Sequence, residues 1–311
     1  MRTSPLNLNP ALLESARRRR SAGEGLKALA AEFGITWQKM DKAIRHGFAR
    51  PSNPTPSART HAAPTGNQVA HRPLLESRVK VEDLGTVPLV EKYRPWTLAG
   101  LWGQPKVVAA LDRFARNPCS TAFIFEGETG CGKTTAALAL ARAVGCDVDA
   151  GEWGGVWEIA SGEQSADTVR EMARRMHLMP LQGSGWKVVI VNEADRMCRP
   201  AEVIWLDVLE HLPRRSVVVF TTNDPDLLSA RFRDRCTRLE FRSDAACMAA
   251  PARDLLLGIW RAETGEEPDL LAVEKMVHAS QVEGQISMRR AVQMLAAALL
   301  ERTVGSEGVQ P

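Results

Sequence analysis

Residues 127–134 read Gly-Glu-Thr-Gly-Cys-Gly-Lys-Thr, and that spacing leaves the flanking chain little freedom. An apolar run, Thr121-Ala-Phe-Ile-Phe125, stands just before it and reads as a buried strand. An alanine-rich stretch from Thr134 to Val144 follows and reads as a helix. In a strand, glycine loop and helix, small residues let backbone N–H groups close around phosphate oxygens, and the helix N-terminus adds partial positive charge. Gly127, Glu128, Thr129, Gly130, Cys131 and Gly132 would form that cradle, with Thr135 on the first turn beyond it. Lys133 would reach the β- and γ-phosphates of a nucleoside triphosphate, and the Thr134 hydroxyl would bind Mg²⁺. Cys131, at a helix N-terminus, is expected to have a lowered thiol pKa, unless it is only a small filler shielded by the loop.

A chain of 311 residues suits one large domain and something smaller, and a hydrophobic fraction of 44% can bury a core. No apolar run approaches the ~20 residues that cross a bilayer. The N-terminus lacks the apolar centre of a secretion signal. The cysteines at 119, 131, 146, 198, 236 and 247 form no Cys-x-x-Cys pair. That argues against zinc and against a disulfide framework, and points to a reducing cytoplasm. Net charge is +3 but uneven: +6 over residues 1–50, +1 over 51–84 and −4 over 85–311. A polyanion partner is therefore first sought at the N-terminus.

Three parts follow in order. Residues 1–48 form the first part, with helical periodicity over 10–48 and helices expected at Pro10 to Ser21, Gly25 to Phe33 and Thr36 to His46. Ala30, Phe33, Gly34, Ile35, Met40 and Ile44 stand where a helix-turn-helix needs small, apolar and turn residues. A small all-α domain that binds DNA fits the charge, and a helical bundle for self-association fits the periodicity alone. In the DNA reading, Arg17, Arg18, Arg19, Arg20, Lys39, Lys42 and Arg45 contact phosphates, while Gln38 and Lys42 face outward from the third helix. Residues 49–84 hold five prolines among Ser, Thr, Ala and His and read as a linker. Residues 85–242 alternate strands and helices, with strands expected at 121–125, 155–159, 187–191, 216–220 and 238–241. The continuous apolar runs Val188–Val191 and Val217–Phe220 suit a parallel sheet buried on both faces. Only helical patterns are read in residues 243–303, ending in a helix from Met288 to Glu301, and 304–311 reads as a tail.

The companions of the phosphate loop narrow the chemistry. Asn192-Glu193-Ala194-Asp195 follows the third strand, next to the loop strand. Glu193 is a candidate general base for an attacking water, or else a solvated loop carboxylate. Asn223 follows the fourth strand and can touch that water or the γ-phosphate, or simply turn the chain. Arg231, Arg233 and Arg235 lie within five positions. Either one of them serves a neighbouring subunit's nucleotide as an arginine finger, or the run is a solvated basic turn.

Taken in order, these motifs resemble one family. Val90-Glu-Lys-Tyr-Arg-Pro95 with Gly103-Gln104, the phosphate loop, the Asn-Glu-Ala-Asp box, Arg235-Cys236 and Met288-Arg-Arg-Ala291 are similar to the boxes of clamp-loader AAA+ ATPases of the replication factor C small-subunit type. The resemblance covers about 88–300. It implies an α/β fold: a P-loop NTPase αβα sandwich on a parallel sheet, with a C-terminal helical lid. It also implies ATP and Mg²⁺ bound between subunits, with Val90, Tyr93, Arg94, Gly103 and Gln104 at the adenine, Glu193 as catalytic acid of the Walker B box, Asn223 as sensor one, Arg289 as sensor two and Arg235 as the finger in trans. Thr134, Asn192 and Glu193 would face the metal. Where the family usually has Asp, this chain has Asn192. Hydrolysis is therefore expected to be slow, and Asn192→Asp to raise it. Against that family's plan, no helical collar is expected after the lid, and the basic N-terminal domain is expected to be an addition.

The sequence thus reads as a DNA-associated, clamp-loader-like ATPase acting with itself or homologous AAA+ subunits in a ring, spiral or filament, with no membrane role. A sliding clamp, a helicase or a recombination protein are the partner classes. The rival readings are an ATP-binding assembly switch on DNA with negligible turnover, and a remodeller whose N-terminal helices bind a protein.

Overall fold

The computed structural model describes residue 75 and residues 87–307, with side chains up to residue 302. All of these belong to the second of the chain's two units, Gln68–Pro311. The expected N-terminal helices, and Arg17 to Arg20, Gln38, Lys39, Lys42 and Arg45 on them, lie outside the described residues.

A five-stranded parallel sheet organises this unit: β1 (Thr121–Glu126), β2 (Val156–Ile159), β3 (Lys187–Val191), β4 (Ser216–Thr222) and β5 (Thr237–Glu240), in spatial order β2-β3-β4-β1-β5. The central strands are buried on both faces because their side chains alternate between two cores. Phe123 and Phe125 of β1, Val188 and Ile190 of β3, and Val217 and Val219 of β4 join one core. Helices α2 (Pro105–Arg116) and α3 (Lys133–Ala143) cover it. Ala122, Ile124, Val189, Val191, Val218 and Phe220 join the other core. Helices α4 (Ala166–Arg175), α5 (Arg199–Glu210) and α6 (Ala230–Asp234) lie on that side. The result is the expected three-layer αβα sandwich.

Beyond β5 the chain builds a lid: α7 (Ala245–Thr264), α8 (Leu270–Ala279) and α9 (Met288–Glu307). The short helix α1 (Leu89–Lys92) packs with them, and Tyr93, Trp102, Leu256, Trp260 and Leu295 share the lid's core. Leu75 also packs there, close to Gly258.

Three expectations change. Strand β4 runs two residues further than the apolar run, to Thr222. The lid is not wholly helical, since β6 (Gln281–Val282) and β7 (Gln285–Ile286) form an antiparallel hairpin. The last helix continues past Glu301 to Glu307, into the stretch read as a tail.

No described helix is long and apolar enough to cross a membrane.

Candidate functional site

Parallel strands bring everything that follows their carboxyl ends to one edge of the sheet. Here β1, β3 and β4 are neighbours, so the phosphate loop, the Asn192–Asp195 box and Asn223 converge. The loop owes its shape to glycine. Gly132, the residue before α3, has φ 102°. Gly130 has φ 84°, and a Cβ there would stand 2.1 Å from Ser287 Oγ, just ahead of α9. Glycine at 130 therefore serves both the turn and the approach of the lid.

Lys133 is 9% exposed, and its ammonium donates to Gly127 O at 2.6 Å, Glu128 O at 2.9 Å and Asn223 Oδ1 at 2.9 Å. Three acceptors match its three protons. Burial pushes its pKa below the usual lysine value. Cys131 is 3% exposed, and burial outweighs the nearby Lys133, so its thiol pKa is raised. Of the two readings of Cys131, this favours the filler shielded by the loop over the lowered pKa: the helix N-terminus is present, but water is excluded.

The acidic box is pinned by groups that the apolar-run reading of β4 left out. The Thr134 hydroxyl donates to Asn192 Oδ1 at 2.9 Å. Thr221 accepts from Glu193 N at 3.2 Å and donates to Asn192 Oδ1 at 3.4 Å. Thr222 donates to Asp195 Oδ1 at 2.8 Å, and the same oxygen accepts from Asn223 N at 3.4 Å. Asn192 Nδ2 donates to Glu158 Oε1 at 2.5 Å. Buried Gln164 donates to the carbonyls of Asn192 and Glu193. Glu193, at φ 51°, turns its carboxylate to Ser161 Oγ at 2.6 Å and to Arg196 Nε at 3.1 Å. Glu158, Ser161, Gln164, Thr221 and Thr222 were all missed by sequence reasoning. The one visible signal was a lone acid in the apolar strand Val156–Ile159.

A cleft opens beside the loop between α1, α7 and α9. Val90, Tyr93, Arg94, Gly130, Gly132, Thr135 and Arg289 are among its lining residues. Arg94 Nε donates to Thr135 Oγ1 at 3.2 Å. Tyr93 donates to Glu263 of the lid at 2.5 Å, and burial together with that carboxylate raises its pKa. Gly103 and Gln104, expected at the adenine, do not line this cleft. Gln104 is buried and staples Arg242 instead, donating to its carbonyl at 2.7 Å and accepting from its N–H at 2.9 Å. A Cβ on Gly103 would stand 2.5 Å from Met248 Sδ. Both residues thus hold the hinge between β5 and the lid.

Of the three arginines, Arg233 pairs with Asp226, and Arg235 pairs with Glu210 and donates to Arg231 O at 2.9 Å. Arg235 holds the Glu210 carboxyl below its usual pKa.

Residues 123–243 match the ATPase family associated with various cellular activities (AAA). The replication factor C small subunit of Methanosphaera stadtmanae is 28% identical over 229 residues, covering 71% of this chain and 66% of that protein. Residues 123–243 thus carry an AAA domain, and the chain is similar to replication factor C small subunits. The replication factor C small subunit of Methanothermobacter thermautotrophicus is 30% identical over 47% of this chain and 42% of its own length. Replication factor C subunit 3 of Saccharomyces cerevisiae is 30% identical over 50% of this chain and 46% of its own. The chain spans between 42% and 66% of these relatives' own length. The Thermotoga maritima RuvB Holliday junction branch migration motor shares the fold, with a TM-score of 0.54 at 17% identity over 68% of this chain and 67% of its own.

Proposed function

We propose that this AAA+ chain binds ATP with Mg²⁺ and hydrolyses it while associated with DNA. The carrying observation is the convergence of Lys133, Thr134, Asn192 and Asn223 at one sheet edge, with Arg289 of the lid lining the cleft that opens beside the phosphate loop. Lys133 would exchange its loop carbonyls for β- and γ-phosphate oxygens, and the N-terminus of α3 would face the same charge. Tyr93 and Arg94 with Val90 would hold the base side.

The residues present fit Mg²⁺. Thr134 Oγ1 and Asn192 Oδ1 are hard oxygen donors 2.9 Å apart. Mg²⁺ usually keeps several waters and substrate phosphates in its shell, so two protein oxygens suffice as its protein share. When bound, Mg²⁺ neutralises charge developing on the phosphoryl oxygens. Glu193 would polarise the attacking water after leaving Ser161 and Arg196. Asn223, already on Lys133, would orient that water or the γ-phosphate.

Arg235 would act on a neighbouring subunit's nucleotide once freed from Glu210, in a ring, spiral or filament of AAA+ subunits. DNA, and one of a sliding clamp, a helicase or a recombination protein, are the proposed partners. The relatives named for replication factor C support the first two; the N-terminal charge supports the DNA role. The switch reading, ATP-driven assembly with negligible turnover, draws support from the turned-away Glu193 and from Asn192.

Binding of a fluorescent ATP analogue decides the core of this reading. Lys133→Ala is expected to abolish binding or turnover, and unchanged affinity together with unchanged turnover would end it.

A further inference from the structure

We infer that Glu158 is a positioning residue for the divalent-cation site, turning the Asn192 amide oxygen toward Thr134 and supplying the negative charge that the amide lacks. The inference rests on the ATP–Mg²⁺ reading above and goes beyond its residue set.

Strand β2 has the burial pattern of an edge strand with one outward position, and Glu158 occupies it. Its register partner is Ile190, two residues before Asn192. Parallel pairing therefore sets the two side chains at the same strand ends, where Asn192 Nδ2 meets Glu158 Oε1 at 2.5 Å.

The partners determine the amide's orientation. An ionised carboxylate can only accept, so the NH₂ group must face Glu158. The oxygen then faces the opposite way, where two hydroxyls donate to it: Thr134 at 2.9 Å and Thr221 at 3.4 Å. The Thr221 oxygen is occupied by Glu193 N–H, which directs its proton to Asn192. Every group around the amide agrees on one orientation. Without Glu158 the NH₂ edge could rotate toward Thr134, which as a hydroxyl accepts as readily as it donates. That would present a donor to a cation.

Charge points the same way. Glu158 has no cationic partner among the described residues, whereas Glu193 has Arg196 and Glu210 has Arg235. Its charge is carried by a charge-assisted hydrogen bond into an amide whose oxygen faces the metal position. A carboxylate and an amide in contact thus supply the single negative charge that one Asp would otherwise bring.

The test is a Mn²⁺ titration of the full chain with a non-hydrolysable ATP analogue, followed by the electron paramagnetic resonance signal of free Mn²⁺. Analogue affinity in EDTA is measured alongside. Glu158→Gln should weaken Mn²⁺ binding about tenfold, the low end of what loss of a partner behind a metal ligand costs, and Glu158→Ala at least as much. Affinity for the analogue in EDTA should not change. The reversed pair, Asn192→Asp with Glu158→Gln, keeps one carboxylate in contact with one amide and should return Mn²⁺ affinity to the wild-type level. Asn192→Asp alone should bind Mn²⁺ less well than the reversed pair, because its carboxylate then meets Glu158; a purely structural glutamate would leave no difference between the two. Wild-type Mn²⁺ affinity in both single variants overturns the inference, as does a reversed pair that keeps its melting temperature but recovers nothing. A wild-type chain that binds neither analogue nor Mn²⁺ overturns the ATP–Mg²⁺ reading itself, and the inference with it.

Discussion

Asn192 and Cys131 are single residues whose chemistry depends on neighbours that a local reading of the sequence does not show. Read alone, Asn192 is a missing carboxylate, and Asn192→Asp ought to raise turnover. The structure sets Glu158 Oε1 at 2.5 Å from the amide nitrogen, so the single substitution would press two carboxylates together. Like charges at that separation disfavour both being ionised. The expected result in steady-state ATPase assays is little or no gain for Asn192→Asp alone, and a clear gain only when Glu158→Gln accompanies it. A full gain from the single change would show that the contact is irrelevant. For Cys131 the sequence offered both a helix N-terminus and a filler shielded by the loop, and burial decides for the second. A raised pKa leaves less thiolate at neutral pH, and only the thiolate reacts. Iodoacetamide at pH 7, with cysteines assigned by mass spectrometry, should therefore label exposed Cys119, Cys198 and Cys247. It should spare Cys131, and also Cys146 and Cys236, whose thiols burial lifts to about 12. Raising the pH should bring labelling up at the buried positions. Rapid modification of Cys131 at pH 7 would contradict this.

At the scale of elements, the sequence carried type and order better than ends. Strands β1, β3 and β4 were visible because both faces are apolar, so each is an unbroken hydrophobic run. The end of β4 was hidden because Thr221 and Thr222 are polar. They are nonetheless 3% and 1% exposed, satisfied by hydroxyl bonds to the acidic box that no linear pattern encodes. The hairpin Gln281–Ile286 is too short to show alternation. Gln104 came to the adenine only through the family resemblance, whereas here its amide is engaged with the Arg242 backbone. Helix α6 shows how an element positions chemistry. It has only five residues, too few to persist unaided, and Phe232 anchors it against Phe220, with ring centroids 4.8 Å apart. Phe232→Ala should cost about 3–5 kcal/mol, read as a lower denaturation midpoint at unchanged slope. A loss below about 1 kcal/mol would mean the site collapses around the gap, in contrast to the usual large-to-small penalty. Arg235→Ala, three residues on, should leave stability and nucleotide binding nearly intact and lower hydrolysis by on the order of 10³ or more. If Arg231→Ala or Arg233→Ala causes that loss instead, the finger is misassigned.

At the scale of the whole molecule, the AAA+ core accounts for the negative part of the chain, while its excess positive charge lies in residues 1–50. A DNA-associated role for the full chain is therefore a claim about that segment, and it must be tested without disturbing the lid. Removing residues 1–84 would also remove Leu75, which packs on the lid core beside Gly258. Removing residues 1–67 keeps Leu75 and everything described beyond it. The shorter deletion should leave ATP-analogue affinity unchanged and weaken DNA binding strongly in fluorescence anisotropy. The lost component should be steeply salt-dependent, because each phosphate neutralised by Arg17 to Arg20, Lys39, Lys42 or Arg45 contributes about −0.9 to the slope of log affinity against log salt. Substituting Gln38, on the expected outward face of the third helix, should reduce sequence preference more than general affinity, since base contacts specify and phosphate contacts position. Equal affinity and equal salt slope for the full and shortened chains would assign residues 1–50 to a protein partner and leave any DNA contact to the AAA+ core.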